Sequence, residues 1–375
     1  MWKKRIPLGF FLVFILTLFF TVDSFGQYGK KARRAAMKTR NKQISRFTVR
    51  TDFSKSKKYI SFGGGAGVSS YFGDLAPRSR RGSSKVGYSR TYFSGFYLHR
   101  VHPNITVRAA LSWMRLRGDD YSVADLISPN ADEKGRFIRN LSFRNDVLEF
   151  SGVGLFELFP TDRGYLRRNF INPYGIFGLS FFHHNPKTKT PVVPGETSEW
   201  VALRPLGTEG QYTGMPGTPR PYSLWQIGIP LGVGIRYRVA DKWDLSLEFC
   251  YRFVFTDYID DVSGKYPADT VYDKMIADGN ELGVRLSNRT SEVTSAIDGQ
   301  NRSAVLARWY SGRTNPLLPG NQERFPDERD SPFRRVRGNE NGSTPRGNKR
   351  RDYWIVTAVH LAYILEIKVK PPKFR

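Results

Sequence analysis

The chain has 375 residues, 14% of them aromatic, a formal net charge of +25 and one cysteine. Charged residues are scattered through it, which excludes a helical membrane bundle built from repeated apolar runs of about 20 residues. With Cys250 alone there is no intramolecular disulfide framework, and we read it as a small strand residue.

One apolar run exists, at residues 6–22. Lys3, Lys4 and Arg5 precede it, and Ser24-Phe25-Gly26 places small residues before a cut ahead of Gln27. That order predicts a secretory signal peptide over residues 1–26, with an uncleaved anchor as the alternative. No cysteine follows the run, so a lipoprotein is not expected. Export also removes nucleic acid as a partner for the positive charge.

Residues 27–58 carry Lys30, Lys31, Arg33, Arg34, Lys38, Arg40 and further cations against Asp52 alone. Such a block repels itself and forms an extended arm. It suits docking onto an acidic protein or anionic lipid heads, or serves only as a solvated tail.

From residue 59 the period changes to two. Residues 59–72 read as a strand with Phe62, Ala66 and Val68 on one face and Gly63, Gly65 and Gly67 on the other, where close approach or strong curvature is needed. Residues 90–102 and 104–116 read as a hairpin around His102-Pro103, with Arg108 on the polar face of the second strand. A polar loop over 117–136 leads to a strand over 139–159 that alternates Leu148, Phe150 and Phe156 with Glu149, Ser151 and Glu157. Residues 171–182 form the next strand, and 186–222 an irregular loop rich in Pro, Gly and Thr. Residues 224–238 alternate again, with Arg236 on the polar side and Pro230 disturbing the ladder. The clearest alternation lies in 243–255: Leu245, Leu247, Phe249, Tyr251, Phe253 and Phe255 against Asp244, Ser246, Glu248, Cys250, Arg252 and Val254. A polar insertion over 257–351 follows, able to hold a short helix within 272–286 but otherwise a poor core former. Residues 352–368 close the set.

Short and long connections alternate, as in outer-membrane barrels with short periplasmic turns and long external loops. We therefore expect an all-β fold, a closed antiparallel transmembrane barrel of about eight strands over residues 59–375, in contact with outer-membrane lipid, both termini periplasmic. A soluble β-sandwich would leave the long greasy faces unused. The lumen of so small a barrel is filled by side chains, here by pairs drawn from Arg108, Glu149, Glu157, Arg236, Glu248 and Arg252. Tyr59, Phe72, Tyr92, Trp113, Phe159, Tyr174, Trp225, Trp243, Tyr258 and Trp354 are expected to form interfacial girdles.

Several phrases carry a family resemblance. Tyr71-Phe72-Gly73-Asp74-Leu75 follows the Gly-rich strand, and Asn172-Pro173-Tyr174-Gly175 opens a middle strand. Ile229-Pro230-Leu231-Gly232-Val233-Gly234 is followed by Asp257-Tyr258-Ile259-Asp260-Asp261-Val262-Ser263. Together they resemble the PorG-like outer-membrane β-barrel family of Bacteroidota. The resemblance implies a component of the type IX secretion system that contacts its periplasmic ring proteins. The long insertion and the basic arm depart from the family.

His183 and His184 end one strand, and Asp257, Asp260 and Asp261 follow another, so a rim hydrolase with a general base is one reading. A calcium site is a second, though the acidic spacing does not match a Ca loop. A turn held by Asp side chains is the reading preferred here. No catalytic residue, cofactor, metal ligand or small-molecule substrate is assigned. A surface adhesion barrel acting through its loops is the alternative to a secretion component.

Overall fold

The computed structural model describes residues 58–76, 89–122, 131–161, 164–192, 197–304, 306, 346–347 and 351–365. All of them belong to the unit Ser54–Arg375. The expected signal peptide and the basic arm from Lys30 to Arg40 lie outside the described residues, as does most of the second half of the 257–351 insertion.

The strands are β1 (Ile60–Phe72), β2 (Arg90–His102), β3 (Ile105–Asp119), β4 (Ser142–Glu157), β5 (Ile171–His183), β6 (Pro186–Lys189), β7 (Trp200–Ala202), β8 (Trp225–Ala240), β9 (Trp243–Val254) and β10 (Tyr353–Leu365). All but β6 and β7 form one antiparallel ring of eight, closed where β1 meets β10 and where β3 meets β4. The short β6 and β7 extend from the edge of β4 beyond the end of its ladder with β5. A strand of 13 residues such as β1 is about 43 Å long at ~3.3 Å per residue. At a tilt of about 45° it rises roughly 30 Å, the thickness of a hydrocarbon core.

Parity decides what each side chain meets. Along β9, Asp244, Ser246, Glu248, Cys250 and Arg252 are buried, while Leu245, Leu247, Phe249 and Phe253 are exposed. The same exposed apolar face recurs on every wall strand, with Phe62, Phe93, Leu111, Phe150, Phe177, Leu231 and Leu361. An apolar belt running around a whole domain far exceeds the patches of soluble monomers and belongs in lipid. The chain is a membrane-spanning β-barrel, and the sandwich is excluded by the closed ladder.

The lumen is solid. Its polar part lies toward the short turns, and above it Met114, Phe143, Val147, Phe182, Val254 and Trp354 form a layer without solvent exposure. Gly65 makes room for packing there. A Cβ on Gly65 would collide with the His360 imidazole, which reaches across from β10.

Four expectations are corrected. Tyr59, Phe72, Tyr92, Tyr174 and Trp354 are buried and do not belong to a girdle, whereas Phe159, Trp225 and Trp243 are exposed. The loop before β4 contains α1 (Ala131–Arg139), so β4 starts three residues later than expected. The loop over 186–222 contains β6, β7 and a 3-10 turn at Arg204–Leu206. The insertion after β9 holds two helices where one short helix within 272–286 was expected: α2 (Asp269–Ala277) and α3 (Glu281–Ser287), which enclose Val271, Tyr272, Met275 and Val284. Outside them Ile259 and Val262 join the main apolar cluster, so the rest is not a poor core former throughout. Pro230 lies inside β8, and the β5–β8 register passes from Phe177↔Leu231 to Ser180↔Gly228 without pairing it. A residue without an N–H is thus accommodated at a gap in the ladder.

Candidate functional site

At the long-loop end the connections fold into a cap over the apolar layer. Its centre is a knot of carboxyl groups around Tyr71, the last inward residue of β1. The Tyr71 hydroxyl lies 2.7 Å from both Asp260 Oδ2 and Asp352 Oδ1. A phenol has one proton to donate, so it donates to one carboxylate and accepts from the other, which must keep its own proton. Burial pushes both acids above the usual carboxylate range; Asp74 adds to the effect on Asp260, and Asp260 to that on Asp352. Asp260 Oδ2 also accepts from the Leu75 N–H at 3.1 Å and Asp260 Oδ1 from the Val262 N–H at 3.0 Å. The latter is the turn in which an Asp side chain mimics backbone. Asp352 Oδ2 accepts from the Ile259 N–H at 3.0 Å. Gly73 lies under the knot, where any Cβ would strike Asp352 and the Tyr71 hydroxyl.

Asp261 turns the other way. Its φ of 67° is one that Asp tolerates better than most residues. Its carboxylate accepts from Thr208 Oγ1 at 2.5 Å and from the Tyr222 hydroxyl at 2.6 Å. Arg346 passes beside it and donates to Glu209 at 3.0 Å and to the Asp261 carbonyl at 2.7 Å. Burial raises Asp261 to about 6, with Arg346 opposing. Asp257 is raised by burial to about 7 and accepts from Ser263 Oγ at 3.0 Å. Tyr258 stacks on Tyr222 at 4.7 Å. From α1, Arg139 forks onto both oxygens of Asp120 at 2.7 Å and donates to the Asp74 carbonyl at 2.9 Å. Arg289 pairs with Glu292 at 2.8 Å and bonds Thr188 of β6 at 3.2 Å, joining the insertion to the β6–β7 hairpin.

The histidines do not assemble with the aspartates. His183 points outward against the Trp225 ring at 4.8 Å. His184 is buried, and burial lowers it to about 4. Its Nε2 lies 3.2 Å from the Ser223 carbonyl and its Nδ1 3.4 Å from the Asn145 amide. A neutral ring donating from Nε2 and accepting at Nδ1 satisfies both contacts and leaves no nitrogen for a water. Among the described residues no group of three or more His, Cys, Asp or Glu is arranged to hold a metal ion.

Below the apolar layer the proposed lumen charges lie inside in pairs. Arg108 forks onto Glu248 at 2.6 and 3.0 Å, and Tyr174 donates to the same carboxylate at 2.6 Å. Arg252 Nε donates to Glu149 at 3.0 Å. Glu157 accepts from Arg236 at 2.6 Å and from Arg100 at 2.8 Å. Asn172 donates to Glu157 at 2.8 Å and to the Phe159 carbonyl at 2.9 Å, so Asn172-Pro173-Tyr174 belongs to this network. At the other end of the wall, on the outward parity, Phe72 stacks on Tyr353 at 5.0 Å. Sequence reasoning assigned no role to Arg100, Arg168, Asp244 and His360 in the lumen or to Asp352, Glu209 and Arg346 in the cap. Strand parity would have placed Arg100 and His360 inside. Arg346 has no periodic context that could reveal it.

No protein-family model matches the sequence, and no curated protein matches it. Among solved structures the chain is similar to Ail, the attachment invasion locus protein of Yersinia pestis, at 9% identity over 52% of this chain and 85% of that one, TM-score 0.25. It is similar to Neisserial surface protein A at 12% identity over 54% of this chain and 85% of that one, TM-score 0.26. A major outer membrane protein from Thermus thermophilus aligns at 11% identity over 82% of this chain and 99% of that one, TM-score 0.34. The closed ladder of this chain, not these likenesses, defines its fold.

Proposed function

We propose that this chain is a non-enzymatic, non-conducting outer-membrane barrel that anchors the type IX protein secretion machinery. Its short turns and termini face the periplasm, and the basic arm of residues 27–58 meets acidic surfaces of periplasmic ring proteins. The observation that carries the reading is the double seal. Ion pairs fill the lumen, and the Met114–Phe143–Trp354 layer covers them. A barrel with no open path acts through its surfaces. In support of the resemblance, Tyr71 and Gly73 of one quoted motif share a knot with Asp260 of another.

Deleting residues 30–50 is expected to weaken co-purification with the ring proteins while the barrel keeps its heat-modifiable mobility. Unchanged co-purification would remove the arm from the account. The ordered cap favours one second reading, a surface adhesion barrel. Trimming residues 307–345 separates the two: secretion survives in the first and surface binding is lost in the second.

A further inference from the structure

Outside the barrel, just on the loop side of the lipid-facing belt, three basic residues stand side by side in register. Arg117 of β3 is opposite Arg144 of β4, and Arg144 is opposite Lys187 of β6. Like charges directly across a sheet repel. Among the described residues little offsets them: Arg117 reaches Asp298 at 3.9 Å, and Arg144 reaches Asp146 at 3.8 Å. Asp146 is already held by Arg115 at 2.6 Å. The Nε atoms of Arg117 and Arg144 are shielded from solvent and have no acceptor among the described residues. Arg144 is held in place by the Trp200 ring, 4.2 Å away.

Two outward rungs below Arg117 and Arg144, at Trp113 and Leu148, the belt begins to hollow, and the hollow runs from there across β2 and β1. Gly64 and Gly95 face each other across β1 and β2. With Ala66, Phe93, Leu111 and Trp113 they line an open apolar furrow of about 630 Å³. Trp113 marks its upper edge, and Arg115 lies 5.5 Å above that ring. Successive outward residues on a strand are about 7 Å apart, so at ~45° tilt Arg115 and Arg117 stand roughly 5 and 10 Å beyond Trp113. The headgroup layer on each side of a bilayer is about 5–8 Å thick. With Trp113 at the edge of the hydrocarbon, Arg115 lies within the headgroup layer and the Arg117–Arg144–Lys187 row stands at its outer margin.

We infer that the Arg117–Arg144–Lys187 row, with the furrow below it, is a binding site for a membrane lipid whose headgroup carries a phosphomonoester. The guanidinium forks take the phosphate oxygens, Lys187 adds a point charge, and an acyl chain lies in the furrow over Gly64 and Gly95. The site rests on the membrane-spanning reading and needs no assignment of which side the loops face.

The test reconstitutes the full chain in phosphatidylcholine bilayers and titrates phosphatidic acid, phosphatidylglycerol and inorganic phosphate, with bound lipid counted by native mass spectrometry. Phosphatidic acid is expected to be retained at least about tenfold over phosphatidylcholine and to exceed the monoanionic phosphatidylglycerol. Replacing the row (R117Q, R144Q, K187Q) is expected to bring that preference to about one while heat-modifiable mobility persists. If the triple variant does not fold, R117Q alone is expected to cut the preference severalfold. Equal retention of all three lipids, an unchanged preference in the folded variant, or displacement by inorganic phosphate at matched concentration would overturn the site. Failure of the wild-type chain to insert into phosphatidylcholine at all would instead refute the membrane reading.

Discussion

The lumen and the cap both bury carboxyl groups and both use arginines to hold them, but the pair at the centre of the cap is satisfied by other means. In the lumen every acid described has a guanidinium partner: Glu157 with Arg100 and Arg236, Glu248 with Arg108, Glu149 with Arg252, Asp244 with Arg168. In the cap the Asp260–Asp352 pair is held together through a phenol and a retained proton. Arginine keeps its charge at any accessible pH, so each lumen carboxylate keeps a cation beside it. A shared proton does titrate. The wall is thereby fixed, whereas the loop surface responds to its surroundings.

The largest test of this contrast is Glu157→Ala. It would strand two buried guanidiniums, and breaking a buried pair by removing one partner costs about 3–5 kcal/mol. The urea midpoint of the heat-modifiable form should fall accordingly, and a midpoint unchanged within error would mean that Arg100 and Arg236 find other acceptors. Tyr71→Phe should have a smaller and local effect. It leaves two buried carboxyl groups without the hydroxyl between them, worth about 1–3 kcal/mol. Protection of the Leu75 and Ile259 amides against hydrogen exchange should drop while the urea midpoint of the wall stays close to wild type. An equal loss in the wall would show that cap and barrel unfold as one.

The wall was legible because its information is local. Alternation along residues 243–255 sorts Glu248 and Arg252 from Leu247 and Phe249 without reference to any other segment, and β9 is built that way. The girdle expectation failed where strand position was allowed to outweigh parity. Trp354 shares parity with Val356 and Ala358, which face inward, and not with the exposed Val359 and Leu361. The cap was illegible for the opposite reason. Tyr71 and Asp260 are 189 residues apart, and Arg346 and Glu209 are 137 apart. No periodicity links such partners, and a segment rich in Asp, Arg and Gly reads as solvated until its distant partners are known. The Asp260 turn was the readable part, because its acceptor and donor are only two residues apart.

The finest discrimination comes from pH. Asp261 and Asp257 have folded values of about 6 and 7, and the Asp260–Asp352 pair is also raised. All exceed the value of about 3.9 for an unfolded Asp. A raised carboxyl contributes stability that is complete below the unfolded value and is lost as pH rises through the folded one. His184, lowered to about 4 from an unfolded value of about 6.5, works in the other direction: its contribution is complete above about 6.5 and is lost as pH falls toward about 4. Four raised carboxyls outweigh one lowered imidazole, so the cap should tighten as pH falls to about 4, and it should loosen between pH 6 and pH 9. Protection factors of the Leu75, Ile259 and Val262 amides, whose acceptors are the Asp260 and Asp352 carboxyls, should fall at least about tenfold between those values, while those of strand residues Val147 and Leu155 hold. Asp260→Asn, which keeps the shape and cannot ionise, should flatten the loss at Leu75 and Val262 with little change near pH 6. If the variant loosens with pH as the wild type does, the proton held around Tyr71 is not what ties the loops together, and the contrast between a fixed wall and a titrating cap no longer holds.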